Sequence, residues 1–166
     1  MQVPTRKKET YRAPKADPHM TADKFTELSA KLKKMKIAHP LLSLEVQRLA
    51  AMGDFSENAG YQLAKSRLRG LNQRIADLES LLKQVEIIEA DSNTETIKLG
   101  HYVTLKSGDQ IRKYQILGSS ESDPQTGIIS HNSPLGAALL NRRLGETVQI
   151  EINDKIKEYH IIKIEC

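Results

Sequence analysis

From Tyr61 onward, apolar residues recur three and four positions apart without a break: Tyr61, Ala64, Leu68, Leu71, Ile75, Leu78, Leu82 and Val85. A seam with that period, held over more than three heptads, predicts a long helix that needs a partner. A partner lies upstream. Thr21 has a side chain able to cap a helix, and Phe25, Leu28, Leu32 and Met35 then fall on one face. Pro40 is expected to kink this first helix or to restart it, after which Leu42, Val46 and Leu49 carry the stripe to Met52. Gly53 is a natural left-handed terminator. Two arms joined by a short turn should pack as an antiparallel coiled coil. An arm of about 30 residues is ~45 Å long at the helical rise. Two helices make a rod with no interior pocket, so such a rod works at its surface or at its end. Gly60 and Gly70 fall inside the second arm, where each costs about 1 kcal/mol relative to alanine.

Composition agrees with long helices. Tryptophan is absent and aromatics make up 4% of the 166 residues, which leaves little material for a large compact core. There are 25 basic and 21 acidic residues, a net charge of +4. So mild a basic bias is compatible with a nucleic-acid partner and is also common without one. The single cysteine, Cys166, is the last residue and has no internal partner, so a reducing compartment is expected. No apolar run is long enough to span a bilayer or to serve as a signal core. The expectation is a soluble cytoplasmic protein without a membrane partner.

Residues 1–20 carry Pro4, Pro14 and Pro18 among Arg6, Lys7, Lys8, Arg12 and Lys15, with no apolar period. They are expected to be a disordered basic tail. Residues 21–92 are expected to form the hairpin domain, with its tip at 53–58. Between Asp91 and Thr96 the chain turns polar, and beyond it the period changes to two. His101 to Leu105 reads as a strand, Lys106 to Asp109 as a hairpin turn, and Lys113 to Leu117 as the return strand. A polar loop follows over residues 118–127, then a third strand from Ile128 to Ser130. Ser133-Pro134 starts a short helix bearing Leu135, Leu139 and Leu140 and ending near Gly145. Val148, Ile150 and Ile152 alternate, Asn153-Asp154 turns, and Tyr159 to Ile164 closes the sheet. Residues 97–166 are therefore expected to form a small antiparallel sheet with one short helix, and the chain as a whole to be α+β.

Pocket chemistry has few candidates. The sequence has no glycine-rich phosphate loop, no cysteine pair and no His-x-x-x-His spacing. The five histidines are scattered, and each is expected on the surface or in the sheet. Asp54 and Glu57 remain, three residues apart just after Gly53. An aspartate at a cap position with a glutamate three residues on is a capping box, and spacing alone favours that reading. The alternative is that two hard oxygen ligands at the end of a rod hold Mg²⁺. Two carboxylates cannot complete a six-ligand site, so the remaining ligands would have to come from whatever the rod is inserted into. Basic residues form two zones, Lys31, Lys33, Lys34 and Lys36 far from the tip and Lys65, Arg67, Arg69 and Arg74 near it. Each zone reads as a solvated helix face or, near the tip, as a contact for RNA phosphates.

The run Gly53-Asp54-Phe55-Ser56-Glu57-Asn58-Ala59, with Tyr61 following, resembles the tip motif of the bacterial Gre transcript cleavage factors, GreA and GreB. Tyr61-Gln62, Lys65-Ser66-Arg67-Leu68-Arg69 and Arg74-Ile75 lean toward the GreB style. In the second half, Ile128-Ile129-Ser130-His131-Asn132-Ser133-Pro134-Leu135 resembles the family segment that opens the short helix, with Leu139-Leu140 following. The strand Tyr114-Gln115-Ile116-Leu117-Gly118 fits as well, and the resemblance covers about residues 21 to 166. It implies that the second domain is FKBP-like and docks on the rim of the secondary channel of bacterial RNA polymerase. It implies that the hairpin enters that channel as part of a monomeric factor. Asp54 and Glu57 then match the catalytic acidic pair, which helps hold a weakly bound Mg²⁺ of the polymerase and orients the attacking water. The polymerase cleaves its own backtracked RNA, and the factor, supplying acids in trans, is no enzyme by itself. Ser56, Asn58 and Tyr61, with Lys65, Arg67 and Arg69, would shape the tip or touch the nascent RNA 3′ end. Gly60 departs from the pattern, standing where better-known members carry an acid. Two rivals stand beside this reading. One is a family relative that occupies the same channel and inhibits the polymerase. The other is a coiled-coil adapter in which Asp54 and Glu57 only cap a helix.

Overall fold

The computed structural model describes residues 17–52, 59–89, 91–152 and 155–166. The first helix, α1, runs over Ala22–Ala50 and the second, α2, over Ala59–Lys83. Thr21 caps α1 as its sequence suggests: the backbone is extended and Oγ1 accepts from the Lys24 amide at 3.2 Å. Asp23 in the first turn and Arg48 in the last complement the helix dipole. The chain does not restart at Pro40, because α1 is continuous through it. Proline removes one backbone N–H there, and half-buried residues continue on both sides of it, Met35 and His39 before and Leu42 and Val46 after. Leu28, Leu32, Met35, Leu42, Val46 and Leu49 are half-buried, and so is His39, which completes the three-four spacing across the proline. On α2 Ala64 is buried, and Tyr61, Leu68, Leu71, Ile75, Leu78 and Leu82 are half-buried against α1. Two helices cannot enclose their seam, so burial stays partial along the rod. Lys36 Nζ lies 2.6 Å from Glu79 Oε1 across the pair. Both groups are exposed, so this ion pair marks the register of the helices more than it stabilises them.

At the open end of the hairpin a short strand precedes α1 and another follows α2. Strand β1 (His19–Met20) pairs in parallel with β2 (Glu86–Ile87). The tail expected over residues 1–20 therefore ends earlier than its composition suggests. Asp17 to Met20 are placed, and Met20 is fully buried; residues 1–16 lie outside the described residues. Burial of Met20 and the ladder of β2 supply what the basic, proline-containing sequence could not indicate.

The remaining strands are β3 (Tyr102–Ser107), β4 (Gln110–Leu117), β5 (Ile128–Ser130), β6 (Thr147–Ile152) and β7 (Lys155–Glu165). They form one sheet in the order β5-β4-β3-β7-β6. The β3–β4 turn is tight, with Ser107 opposite Gln110 and Gly108 at φ 58°, the left-handed region that glycine enters without strain. The sheet is mixed rather than wholly antiparallel, because β5 lies parallel to β4. The chain between them makes a 3₁₀ turn over Ser119–Glu121 and folds back on itself where Asp123 and Ile128 bridge. That double reversal returns it to the end of β4, Gln115 to Leu117, running the same way. Helix α3 (Pro134–Leu139) is capped by Ser133, whose Oγ accepts from the Gly136 amide at 3.1 Å. It ends at Leu139, sooner than Gly145. The core gathers Ile97, Val103, Leu105, Ile116, Ile129, Leu139, Val148 and Ile161. His101 is also fully buried: its Nε2 faces the Asp91 carbonyl at 2.8 Å and its Nδ1 accepts from the Lys98 amide at 3.3 Å. Among the described residues no helix is long and apolar enough to cross a membrane.

Candidate functional site

Two ends of the rod hold the polar side chains that could act. At the far end α1 closes with the Ala51 amide on the Gln47 carbonyl at 3.0 Å, and Met52 is exposed. Helix α2 begins at Ala59. The connection carries Gly53, Asp54, Phe55, Ser56, Glu57 and Asn58, all of which lie outside the described residues. The expected terminator, the expected cap and the acidic pair fall there together. The helix ends that they join stand about 40 Å from the base of the rod, at 1.5 Å per residue along α1 and α2.

Near this end, Tyr61 is half-buried on the seam and Lys65 Nζ stands 5.6 Å from its ring centroid, one turn along the same helix. Lys65, Arg67 and Arg69 are all exposed. The helical repeat of about 100° per residue separates them. Lys65 and Arg69 lie on one flank, where with Leu68, Asn72, Gln73 and Ala76 they line a shallow groove. Arg67 falls on the opposite flank with Arg74. The basic zone that looks continuous in sequence is thus divided between two sides of the rod. Described residues 47–52 and 59–69 include Arg48, Lys65, Arg67 and Arg69 and no acid. The acidic residues of this stretch of sequence are thus Asp54 and Glu57, and carboxylates are the hard oxygen ligands that Mg²⁺ takes.

The base of the rod is fastened to the sheet domain. Glu121 accepts from the Thr21 amide at 2.8 Å and from the Thr21 hydroxyl at 2.5 Å. The hydroxyl in turn accepts from Lys24, so a carboxylate on the loop after β4 orders the first turn of α1. Asp17 joins the same loop: its Oδ2 accepts from the Ser119 amide at 2.6 Å and the Ser119 hydroxyl at 2.9 Å. Burial pushes the Asp17 carboxyl up, but hydrogen bonds from Ser119 and His19 outweigh it and hold the group below the ordinary carboxylate value. Gly118 meets the chain closely; a Cβ there would overlap the His19 carbonyl oxygen. Sequence reasoning missed this joint, since Asp17 and Ser119 lie 102 residues apart. The acidic and polar character of 119–123 reads as an ordinary solvated loop.

A family model described as "Transcription elongation factor, N-terminal" matches residues 18–87, and another described as "Transcription elongation factor, GreA/GreB, C-term" matches residues 91–166. The chain is 37% identical over 148 residues to transcription elongation factor GreA of Sphingopyxis alaskensis, covering 88% of this chain and 94% of that protein. It is 35% identical over 149 residues to GreA of Alkaliphilus oremlandii, covering 87% and 94%. Among solved structures, the GreA factor homolog 1 (Gfh1) of Thermus thermophilus aligns at 25% identity with a TM-score of 0.40, covering 86% and 94%.

Proposed function

Because the chain belongs to the GreA/GreB family of transcription elongation factors, we propose that it acts on bacterial RNA polymerase by stimulating cleavage of backtracked RNA 3′ ends. The observation that carries this reading is the hairpin itself. Two long helices pack side by side, and Asp54 and Glu57 fall in the stretch of sequence that joins their far ends.

In this reading the hairpin threads the secondary channel of the polymerase and the sheet domain, residues 97–166, docks on the rim. Asp54 and Glu57 each offer a carboxylate oxygen to a Mg²⁺ ion whose other ligands belong to the polymerase. Bound there, the ion supplies Lewis-acid chemistry and an activated water for phosphodiester hydrolysis. The tip carboxylates would orient that water and offset the charge of the ion in a site that the polymerase completes. The factor is a monomer and lends groups in trans instead of turning over substrate alone. Lys65 and Arg69, sharing one flank, meet RNA phosphate on that side; Arg67 serves the other. Ser56, Asn58 and Tyr61 shape the tip.

The test compares Asp54→Asn and Glu57→Gln with the parent on artificially backtracked polymerase, with helicity recorded by circular dichroism. Both changes keep the shape and some hydrogen bonding while removing charge. The expected result is unchanged helicity and a loss of short 3′ fragments. Variants that cleave like the parent refute the metal role. A parent that slows elongation and releases no fragments makes the protein an inhibitor, and a parent that does not bind polymerase makes it an adapter.

A further inference from the structure

At the base of the hairpin, far from the acidic tip, three metal-ligating side chains converge. Asp17 leads into β1, His19 lies on β1, and His131 follows β5 in the sheet domain. One ligand atom from each lies within 4.8 Å of both others. His19 Nδ1 is 3.0 Å from Asp17 Oδ1, and His131 Nδ1 is 3.3 Å from Asp17 Oδ2. The two rings meet edge to face with centroids 5.2 Å apart. The Asp17 side chain is 4% exposed and that of His131 15%. A tetrahedral Zn²⁺ with bonds near 2.0–2.1 Å separates its ligand atoms by about 3.3 Å; the two nitrogen–oxygen spacings are close to that, one to each oxygen of Asp17.

The cluster is held by its surroundings: the His19 amide donates to Asp17 Oδ1 at 3.1 Å, and His131 Nδ1 also lies 3.4 Å from the Leu117 carbonyl oxygen. Glu86 Oε2 stands 3.3 Å from His19 Nε2, on the side of the ring away from Asp17. A metal-ligating histidine commonly has its other ring nitrogen on a carboxylate. His19 has that arrangement, with Glu86 at Nε2 and Asp17 Oδ1 at 3.0 Å from Nδ1. Asp17 Oδ2 is meanwhile held by the Ser119 amide and hydroxyl and approached by the Asn132 amide at 3.4 Å, which orients the carboxylate from outside. The cluster opens on a groove lined by Pro18, Gln84, Glu86 and Asn132, leaving room for a water as fourth ligand.

We propose that Asp17, His19 and His131 form a binding site for a borderline divalent cation of the Zn²⁺ class, one that ties the strand at the base of the hairpin to the sheet domain. Two imidazoles and one carboxylate select Zn²⁺, Co²⁺ or Ni²⁺ over Mg²⁺. The site is separate in place and chemistry from the tip, and it does not rest on the cleavage reading.

The experiment uses the full-length protein with any affinity tag removed. Co²⁺ is titrated into the parent, into His19→Gln, into His131→Gln and into Asp54→Asn, with folding checked by circular dichroism. Glutamine can still donate to Asp17, so the hydrogen-bonded joint survives while the imidazole is lost. The parent and Asp54→Asn should show a d–d absorption band that saturates at one equivalent, is bleached by Zn²⁺ and ignores excess Mg²⁺. Each histidine variant should lose the band and the rise in melting temperature that Zn²⁺ gives the parent. No band at one equivalent in the parent overturns the proposal. So does a band that survives both histidine variants, since the joint is then a hydrogen-bonded clasp and the metal lies elsewhere.

Discussion

Removing the Glu121 carboxylate should loosen the base of the hairpin without touching the sheet core. Glu121 receives two hydrogen bonds from Thr21, whose hydroxyl itself accepts from the Lys24 amide. A hydrogen bond to a charged acceptor contributes about 1.5–3 kcal/mol when buried. Thr21 and Glu121 are half-buried, so water can replace part of each bond, and about 1 kcal/mol apiece is the better figure. The charge also stands at the α1 N-terminus, which adds a few tenths. Glu121→Ala should therefore lower the free energy of opening this joint by about 2 kcal/mol, roughly a 30-fold change in an equilibrium constant. Native-state hydrogen exchange reads it directly. The Ile88 amide bonds to the Met20 carbonyl at 2.9 Å and the Glu86 amide to Pro18 at 2.9 Å, so both report opening of β1 from β2. Both should exchange about 30-fold faster in Glu121→Ala, with Glu121→Gln in between because it keeps a neutral acceptor. The Ile116 amide, bonded to His101 at 3.1 Å within the sheet domain, is the control and should not change. Unchanged exchange at Ile88 would refute the claim that Glu121 holds the joint. Equal acceleration at Ile116 would show that the variant destabilises the whole sheet domain and that the local argument is wrong.

Two further outcomes follow from the same structure. Gly70 lies within α2, and a Cβ placed there meets nothing within 4 Å, so Gly70→Ala should stabilise the hairpin by about 1 kcal/mol and raise the urea midpoint of the helical signal; a fall would mean that the seam is closer there than the structure has it. Glu165 is held below its ordinary value of 4.5 by hydrogen bonds from Lys163 and then Lys113. A lowered carboxylate contributes its stabilisation above the ordinary value and loses it as pH falls through the folded value. Lys163→Met with Lys113→Met should move the Glu165 carboxyl titration, followed by NMR, back toward 4.5, and an unmoved titration would remove the lysines as its cause.

What the sequence made legible was whatever is set within a few residues. The three-four spacing of α2 survives intact in its half-buried positions, and the Thr21 and Ser133 caps form the bonds their side chains suggest. His39 was hidden by its neighbour: Pro40 reads as an interruption, although the spacing from Met35 to Leu42 runs through His39 unbroken. The direction of β5 could not be read, because it depends on how the ten residues after Leu117 fold back and not on the alternation of Ile128 to Ser130. The histidines show the limit most clearly. In sequence they are five isolated residues with no ligand spacing. In the fold His101 is a core residue bonded at both nitrogens, His39 fills a seam position, and His19 and His131 meet over one carboxylate. Contacts such as Asp17 to Asn132, 115 residues apart, leave no periodic trace. The Asp54–Glu57 motif is the reverse case, explicit in seven consecutive residues. A rod of this length puts those two kinds of information at opposite ends. In the proposed reading the local motif meets the polymerase, and the long-range cluster holds the base of the rod. Loosening the base should therefore impair cleavage stimulation even with Asp54 and Glu57 intact, because a small rotation at the joint is multiplied by about 40 Å at the tip.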